Sequence, residues 1–142
     1  WDIEANAYES SRPRGVDTTD TVEAARDAAA ALARYTGGAV AVSGKKDLVT
    51  DGEKVVYSEG GSELMEKVTG FGCSQGGVLA VYATATNPFT AALAAVAHYN
   101  VAGSRAAKVA DAPASFKTAF IDELYRATAR DIADNPFSVE EA

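Results

Sequence analysis

One cysteine, one histidine, one methionine and one tryptophan occur in the 142 residues. A single cysteine excludes an internal disulfide framework and makes a reducing, cytoplasmic compartment the simple expectation. Cys73 and His98 have no metal-ligand spacing, and no Asp/Glu cluster suggests a zinc or iron site. No carboxylate stands in helical register with His98, which reads as a structural or surface residue. Basic residues are also scarce: 13 Lys and Arg face 20 Asp and Glu, for a net charge of −7. That balance argues against nucleic acid or an anionic membrane as partner, since both need a basic face. No apolar run reaches membrane-spanning length, and no basic-then-apolar leader precedes the first elements of the chain, which starts at Trp1. Nor is there a Walker motif, because Gly70-Phe71-Gly72-Cys73 lacks the Lys-Ser/Thr pair.

What is present suits one α/β domain or part of one. Hydrophobic residues make up 47% of the chain, which excludes disorder as the default and leaves enough apolar mass for a core. Ser10 to Gly15 reads as an exposed loop. Asp20 and Glu23 resemble a capping box opening a helix from Val22 to Tyr35, with Val22, Ala25, Ala29 and Leu32 on one stripe and Gly37-Gly38 as its stop. Ala39 to Val42 is an unbroken apolar run, expected as a strand buried on both faces of a parallel sheet. Ser43-Gly44 ends it at an expected carboxyl edge, where α/β sheets bind ligands. Leu48-Val49-Thr50 and Lys54 to Tyr57 flank Asp51-Gly52, the pattern of a hairpin with a type I′ turn. A further short strand is expected around Leu64 to Val68. Helices follow from about Cys73 to Ala85, from a cap at Asn87 with Pro88 to about Ala110, and from Ala114 to Ile132. Phe116, Phe120, Leu124 and Tyr125 are placed on one side of the last. Two strands are few for so many helices, so the chain reads as part of an α/β domain.

The tract from Met65 to Gly77 concentrates the chemistry. Gly70 and Gly72 permit a tight turn and close approach of main-chain N–H groups to a ligand. The helix that follows points its N-terminus at the same space, where unpaired donors and partial positive charge suit phosphate. Cys73 stands at that helix start, a position that favours a reactive thiolate over buried filler. Ser43 and Gly44 offer a hydroxyl and an amide to a phosphate, or form a plain strand-ending turn.

Several stretches together resemble the hydroxyethylthiazole kinases. These are Val42-Ser43-Gly44 followed by Asp47 to Gly52, and Leu64-Met65-Glu66-Lys67-Val68-Thr69-Gly70-Phe71-Gly72-Cys73. The family reads T/S-G-E-x-D-x-V-T-D-G and L-M-x-x-V-T-G-T-G-C in that order. Gly15-Val16-Asp17-Thr18 resembles its G-V-D-S stretch, and Ala114-Ser115-Phe116 with Phe120 its G-S-F…F. Phe71 replaces the usual Thr, and Lys45 the usual Glu.

The resemblance implies a ribokinase-like three-layer α/β sandwich, of which residues 1–142 form about the carboxyl-terminal half: short strands, one hairpin and four helices. It implies transfer of the ATP γ-phosphoryl group, with Mg2+, to the hydroxyl of 4-methyl-5-(2-hydroxyethyl)thiazole in thiamine biosynthesis or salvage. Cys73 stands where related sugar kinases carry a catalytic aspartate, and it inherits the role of base or positioning group. By the same matching Gly70 contacts the thiazole, while Ser43, Gly44, Thr69 and Gly72 contact the nucleotide. The Gly70 to Cys73 amides form an anion hole, and the hairpin from Asp47 to Tyr57 borders the adenine site. Asp2 matches a glutamate that helps hold magnesium. The implied partners are the missing amino half and a trimeric assembly. Competing readings are a related kinase for a pyrimidine or sugar alcohol, disfavoured by the cysteine, and a nucleotide- or partner-binding subunit without activity of its own.

Overall fold

The computed structural model describes residues 25–142. Expectations for Asp2, the Ser10–Gly15 loop, the Gly15–Thr18 stretch and the capping pair Asp20 and Glu23 lie outside the described residues. The chain runs α1 (Arg26–Thr36), β1 (Val40–Val42), β2 (Asp47–Thr50), β3 (Lys54–Ser58), a single 3₁₀ turn (Glu63–Met65), α2 (Phe71–Ala83), α3 (Pro88–Ala106), α4 (Pro113–Arg126), α5 (Ala129–Ala133) and β4 (Phe137–Glu141). Gly37 stops α1 in the left-handed region at φ 66°, its N–H bonded to the Ala33 carbonyl.

The four strands lie in the order β1-β2-β3-β4, and every pairing is antiparallel. This corrects the parallel placement of Ala39 to Val42. The segment is an edge strand whose Val40 and Val42 point to α1 while Ala41 stays exposed. The hairpin forms with Leu48 opposite Tyr57 and Val49 opposite Val56. Its turn is not type I′, which needs two positive φ angles; only Gly52 has one. Asp51 instead accepts the N–H groups of Glu53 and Lys54 at 3.0 Å each through Oδ1. No strand forms at Leu64 to Val68. Ser62 caps the 3₁₀ turn there, and Leu64, Met65 and Val68 press on the core at helical rather than alternating spacing.

Alternation divides the sheet cleanly. Leu48, Val55 and Tyr57 face α1 and pack with Ala29, while Val49 faces α3 and packs with Ala92 and Val96. The remaining sides of α3 are covered by α2, α4 and α5. Ala91, Ala92, Ala95, Ala97, Ala102 and Ala106 are all buried, small side chains that let a sheet and three helices approach α3 closely, while Val96, Tyr99 and Asn100 fill the space between them. A second cluster joins Phe71 of α2, Tyr99 of α3 and Phe116 and Phe120 of α4. Tyr125, expected on that side, is 92% exposed, since it lies one residue off the Phe116–Phe120–Leu124 row.

The expected single helix from Ala114 to Ile132 is two. Thr128 starts α5 with a full capping box: its hydroxyl accepts the Asp131 N–H, and the Asp131 carboxylate accepts the Thr128 N–H. Asp131 also pairs with Arg105 at 2.7 Å. Bonds from the Thr128 backbone and hydroxyl, then from Arg105, lower its pKa to about 2. The folded value is depressed, so the bonds stabilise the fold above the unfolded carboxyl range and are lost as pH falls through about 2.

Asn100 is the polar centre beneath the sheet. Its buried Nδ2 donates to Asp47 Oδ2 at 2.8 Å and to Ser58 Oγ at 2.9 Å. Asn135 donates to the same Ser58 oxygen at 3.0 Å, and its own carboxyl-terminal neighbours lead into β4. Asp47 has a raised pKa because burial outweighs the bonds it accepts from Gly44 and Asn100.

Two outcomes test this frame. Asn100→Ala leaves a buried carboxylate oxygen without its donor, so urea unfolding should show a loss of about 2–3 kcal/mol; a change within experimental error would remove the hub from the stability of the fold. Asp131→Asn should lower the urea midpoint at pH 7, and the gap to wild type should close as pH drops from about 4 toward 2. A gap independent of pH would contradict the ionic part of this cap.

Candidate phosphate-facing site at the start of helix α2

The first turn of α2 is held from below. Phe71 enters the core, its ring centroid 4.5 Å from that of Phe120 and 5.9 Å from that of Phe116. Burial of this ring leaves the flanking Gly70 and Gly72 exposed on the outer side. Gly70 caps the helix at φ 92°, a left-handed backbone that side chains other than glycine seldom adopt. Cys73, the third helical residue, is exposed. The expected helix start at Cys73 therefore moves back to Phe71, where the aromatic anchor rather than the thiol sets the boundary.

Main-chain donors in this turn divide into two sets. The Phe71 N–H is bonded to the Val68 carbonyl at 3.3 Å, and the Ser74 N–H to the Gly70 carbonyl at 2.8 Å. Among the described residues no acceptor meets the N–H groups of Gly70, Gly72 or Cys73. Unpaired donors at a helix N-terminus, beside an exposed thiol and with no acidic side chain in the first turn, suit an anion. A Cβ built on Gly70, Gly72, Gly76 or Gly77 would meet nothing within 4 Å. Internal packing among the described residues thus does not demand these glycines, three of which sit inside a helix where alanine is the better former.

Ser43 and Gly44 stand in a separate turn after β1. The Gly44 N–H is donated to Asp47 Oδ1 at 2.9 Å, so the carboxylate braces this turn from within. The Ser43 hydroxyl is exposed and makes no hydrogen bond among the described residues. Thr69 is exposed just before the cap of α2. Gly70, Gly72 and Cys73 are therefore brought together in one turn, with Thr69 preceding it, while Ser43 and Gly44 belong to another element. Asp2 lies outside the described residues. Among those described, no group of three or more His, Cys, Asp or Glu side chains is arranged to hold a metal ion.

The lone histidine is structural, as its sequence setting implies. His98 Nε2 lies 2.8 Å from the Leu124 carbonyl, which only accepts, so Nε2 carries the proton. Nδ1 then accepts from the Tyr82 hydroxyl at 3.0 Å, joining α2, α3 and α4. A shallow open depression of about 540 Å³ lies elsewhere, between Gly60, the end of α3 and α5, with Arg105 and Asp131 paired on its wall.

The chain matches the Hydroxyethylthiazole kinase family over residues 2–130. It belongs to that family. The hydroxyethylthiazole kinase of Bifidobacterium longum (strain DJO10A) is 46% identical across 91% of this chain and 46% of its own length. That of Corynebacterium glutamicum (strain R) is 47% identical across 84% of this chain and 47% of its own length. The structure of a hydroxyethylthiazole kinase protein from Pyrococcus horikoshii OT3 superposes with a TM-score of 0.75 at 31% identity, over 84% of this chain and 47% of that one. The chain therefore spans about half the length of the family members it matches, and its α/β fold is a partial ribokinase-like domain. No helix among the described residues is long and apolar enough to cross a membrane.

The two glycines of this family loop separate backbone from side-chain effects. Gly70→Ala should lose about 1–3 kcal/mol in urea unfolding from its positive φ alone, since the added methyl meets no atom. Gly72→Ala, in helical backbone and open space, should be neutral or stabilising by up to about 1 kcal/mol. Equal losses at both positions would contradict the strained cap.

Proposed function

We propose that the chain supplies the phosphoryl-transfer half of a hydroxyethylthiazole kinase, with Cys73 and the first turn of α2 at its centre. The observation that supports this reading is the coincidence of an exposed Cys73 with the N–H groups of Gly70, Gly72 and Cys73, which meet no acceptor among the described residues, at a helix N-terminus. In the proposed reaction the alcohol oxygen of 4-methyl-5-(2-hydroxyethyl)thiazole attacks the γ-phosphorus of ATP. The bond from that phosphorus to the bridging oxygen breaks, and ADP leaves. The alcohol proton passes to, or is positioned by, the Cys73 sulfur. Charge spread over the transferring oxygens is stabilised by the free main-chain donors and the positive end of α2.

Within the Gly70 to Cys73 anion hole, the contributing donors are those of Gly70, Gly72 and Cys73, because the Phe71 N–H is already engaged. Gly70 contacts the thiazole, and Thr69 and Gly72 the nucleotide. Ser43 offers its hydroxyl to ATP, while Gly44 shapes that turn through its bond to Asp47. The hairpin from Asp47 to Tyr57 borders the adenine. Magnesium accompanying the nucleotide would neutralise phosphate charge, with Asp2 as the candidate carboxylate, since the described residues offer no cage for it.

Residues 1–142 are read as the carboxyl-terminal half of one kinase domain, working in a cytoplasmic trimer. The amino half supplies the rest of the thiazole pocket and covers the bare side of α2. Phe71 is the one residue buried in α2, although the helix is apolar on all sides and Val81 is 70% exposed. Without such a partner the same surface would serve a binding subunit that lacks activity.

Mixing the chain with the amino half of a relative, ATP, magnesium and the thiazole alcohol should yield thiazole phosphate. Cys73→Ala should lower kcat by about a hundredfold or more while circular dichroism stays unchanged. Wild-type turnover by a folded variant would remove the thiol from the chemistry. ATP binding by calorimetry with no product, every component being present, would favour the binding subunit.

A further inference from the structure

Tyr99 and Ser74 take no part in the proposed transfer, yet their hydroxyls are 2.8 Å apart beneath it. Ser74 Oγ also lies 2.8 Å from the Phe71 carbonyl oxygen, which only accepts. The single hydroxyl proton of Ser74 is therefore spent on that carbonyl, and the Tyr99 O–H must be the donor to Ser74 Oγ. The direction of the chain of bonds is thus determined: Tyr99 to Ser74 to Phe71.

The Phe71 carbonyl and the Gly72 N–H belong to one planar peptide unit. Holding the oxygen at one end orients the N–H at the other, and the Gly72 N–H is among the donors that meet no acceptor among the described residues. A Cβ built on Gly72 would meet nothing within 4 Å, so apart from the helix's own backbone no contact braces this residue on the outer side. Side-chain restraint comes from below. Tyr99 is 2% exposed and lies in α3, its ring edge-on to Phe120 at 5.1 Å, so the relay starts from a rigid point of the core. Bonds in series also polarise one another, which makes the terminal N–H a stronger donor.

We propose that Tyr99 and Ser74 are positioning residues that aim and polarise the Gly72 N–H toward the transferring phosphoryl group through the Phe71 peptide plane. The proposal rests on the kinase reading for what the N–H meets, but the relay can be tested apart from it. Tyr99→Phe and Ser74→Ala, assembled with the amino half, should each lower kcat about tenfold with KM for the thiazole alcohol within about twofold, less than the loss expected from deleting a donor outright. Ser74→Thr keeps the hydroxyl and should restore most of the rate. In the ¹⁵N-labelled chain alone, the backbone order parameter of the Gly72 amide should fall in the first two variants, and Ser74→Thr should return it toward wild type.

A Gly72 order parameter unchanged in both variants overturns the relay whatever the activity. A lower order parameter with kcat within twofold of wild type overturns its role in the reaction. A wild-type assembly that makes no thiazole phosphate defeats the kinase reading instead, while the order parameters still decide the relay. Ser74→Ala, altering a position at the helix surface, guards against a Tyr99 variant that fails to fold.

Discussion

Asn100 sits where α3 crosses the sheet, and its buried side-chain amide links Asp47 of β2 to Ser58 of β3. A buried donor of this kind must be matched, and here both hydrogens of Nδ2 have acceptors. That geometry locks α3 to the strands in one register. The Asn100 carbonyl accepts from Gly61, and Ser104 one turn on holds the same glycine, so the chain leaving β3 is bound to α3 as well. Everything that follows, from the 3₁₀ turn to the cap of α2, hangs from this attachment. The cost is a carboxyl whose burial pushes its pKa up. Its stabilising balance runs opposite to that of Asp131: folding favours protonated Asp47, so its share falls as pH rises through the folded pKa, whereas the Asp131 share is retained there.

How much of this was legible depends on how local each cause is. Asn87-Pro88 marks the start of α3 by chemistry within four residues, and the Asn87 side chain indeed accepts the Thr90 N–H. Gly37 ends α1 for an equally local reason. The hairpin followed from two apolar runs about one short turn. The orientation of β1 was not readable in this way, because an apolar run of four residues is compatible with a parallel or an antiparallel neighbour. Two features carry their signals in the sequence itself. Thr128 and Asp131 spell a capping box inside the expected last helix, and Phe137-Ser138-Val139-Glu140 alternates as an edge strand should.

The candidate site divides along the same line. Gly70, Gly72 and Cys73 are contiguous, so sequence alone could place them on one turn. Which of their N–H groups lack an acceptor among the described residues is not legible, since the Val68 carbonyl that occupies the Phe71 donor reaches it through a turn where the sequence pattern suggests a strand. Tyr99 and Ser74 were invisible for a different reason: 25 residues separate them, and only the packing of α2 on α3 brings their hydroxyls together. Ser43 and Gly44 illustrate the converse, a correct strand end whose amide is engaged by a carboxylate three residues ahead.

Phe71 departs from the family pattern, yet its ring points inward to Phe116 and Phe120 while the turn presents backbone outward. The ring therefore anchors the turn without occupying the space that the donors face. Alanine at Gly72 or Cys73 would leave each amide in place, so side-chain replacement there removes no donor. Only changes to the backbone, such as an amide-to-ester exchange, would interrogate the donors directly.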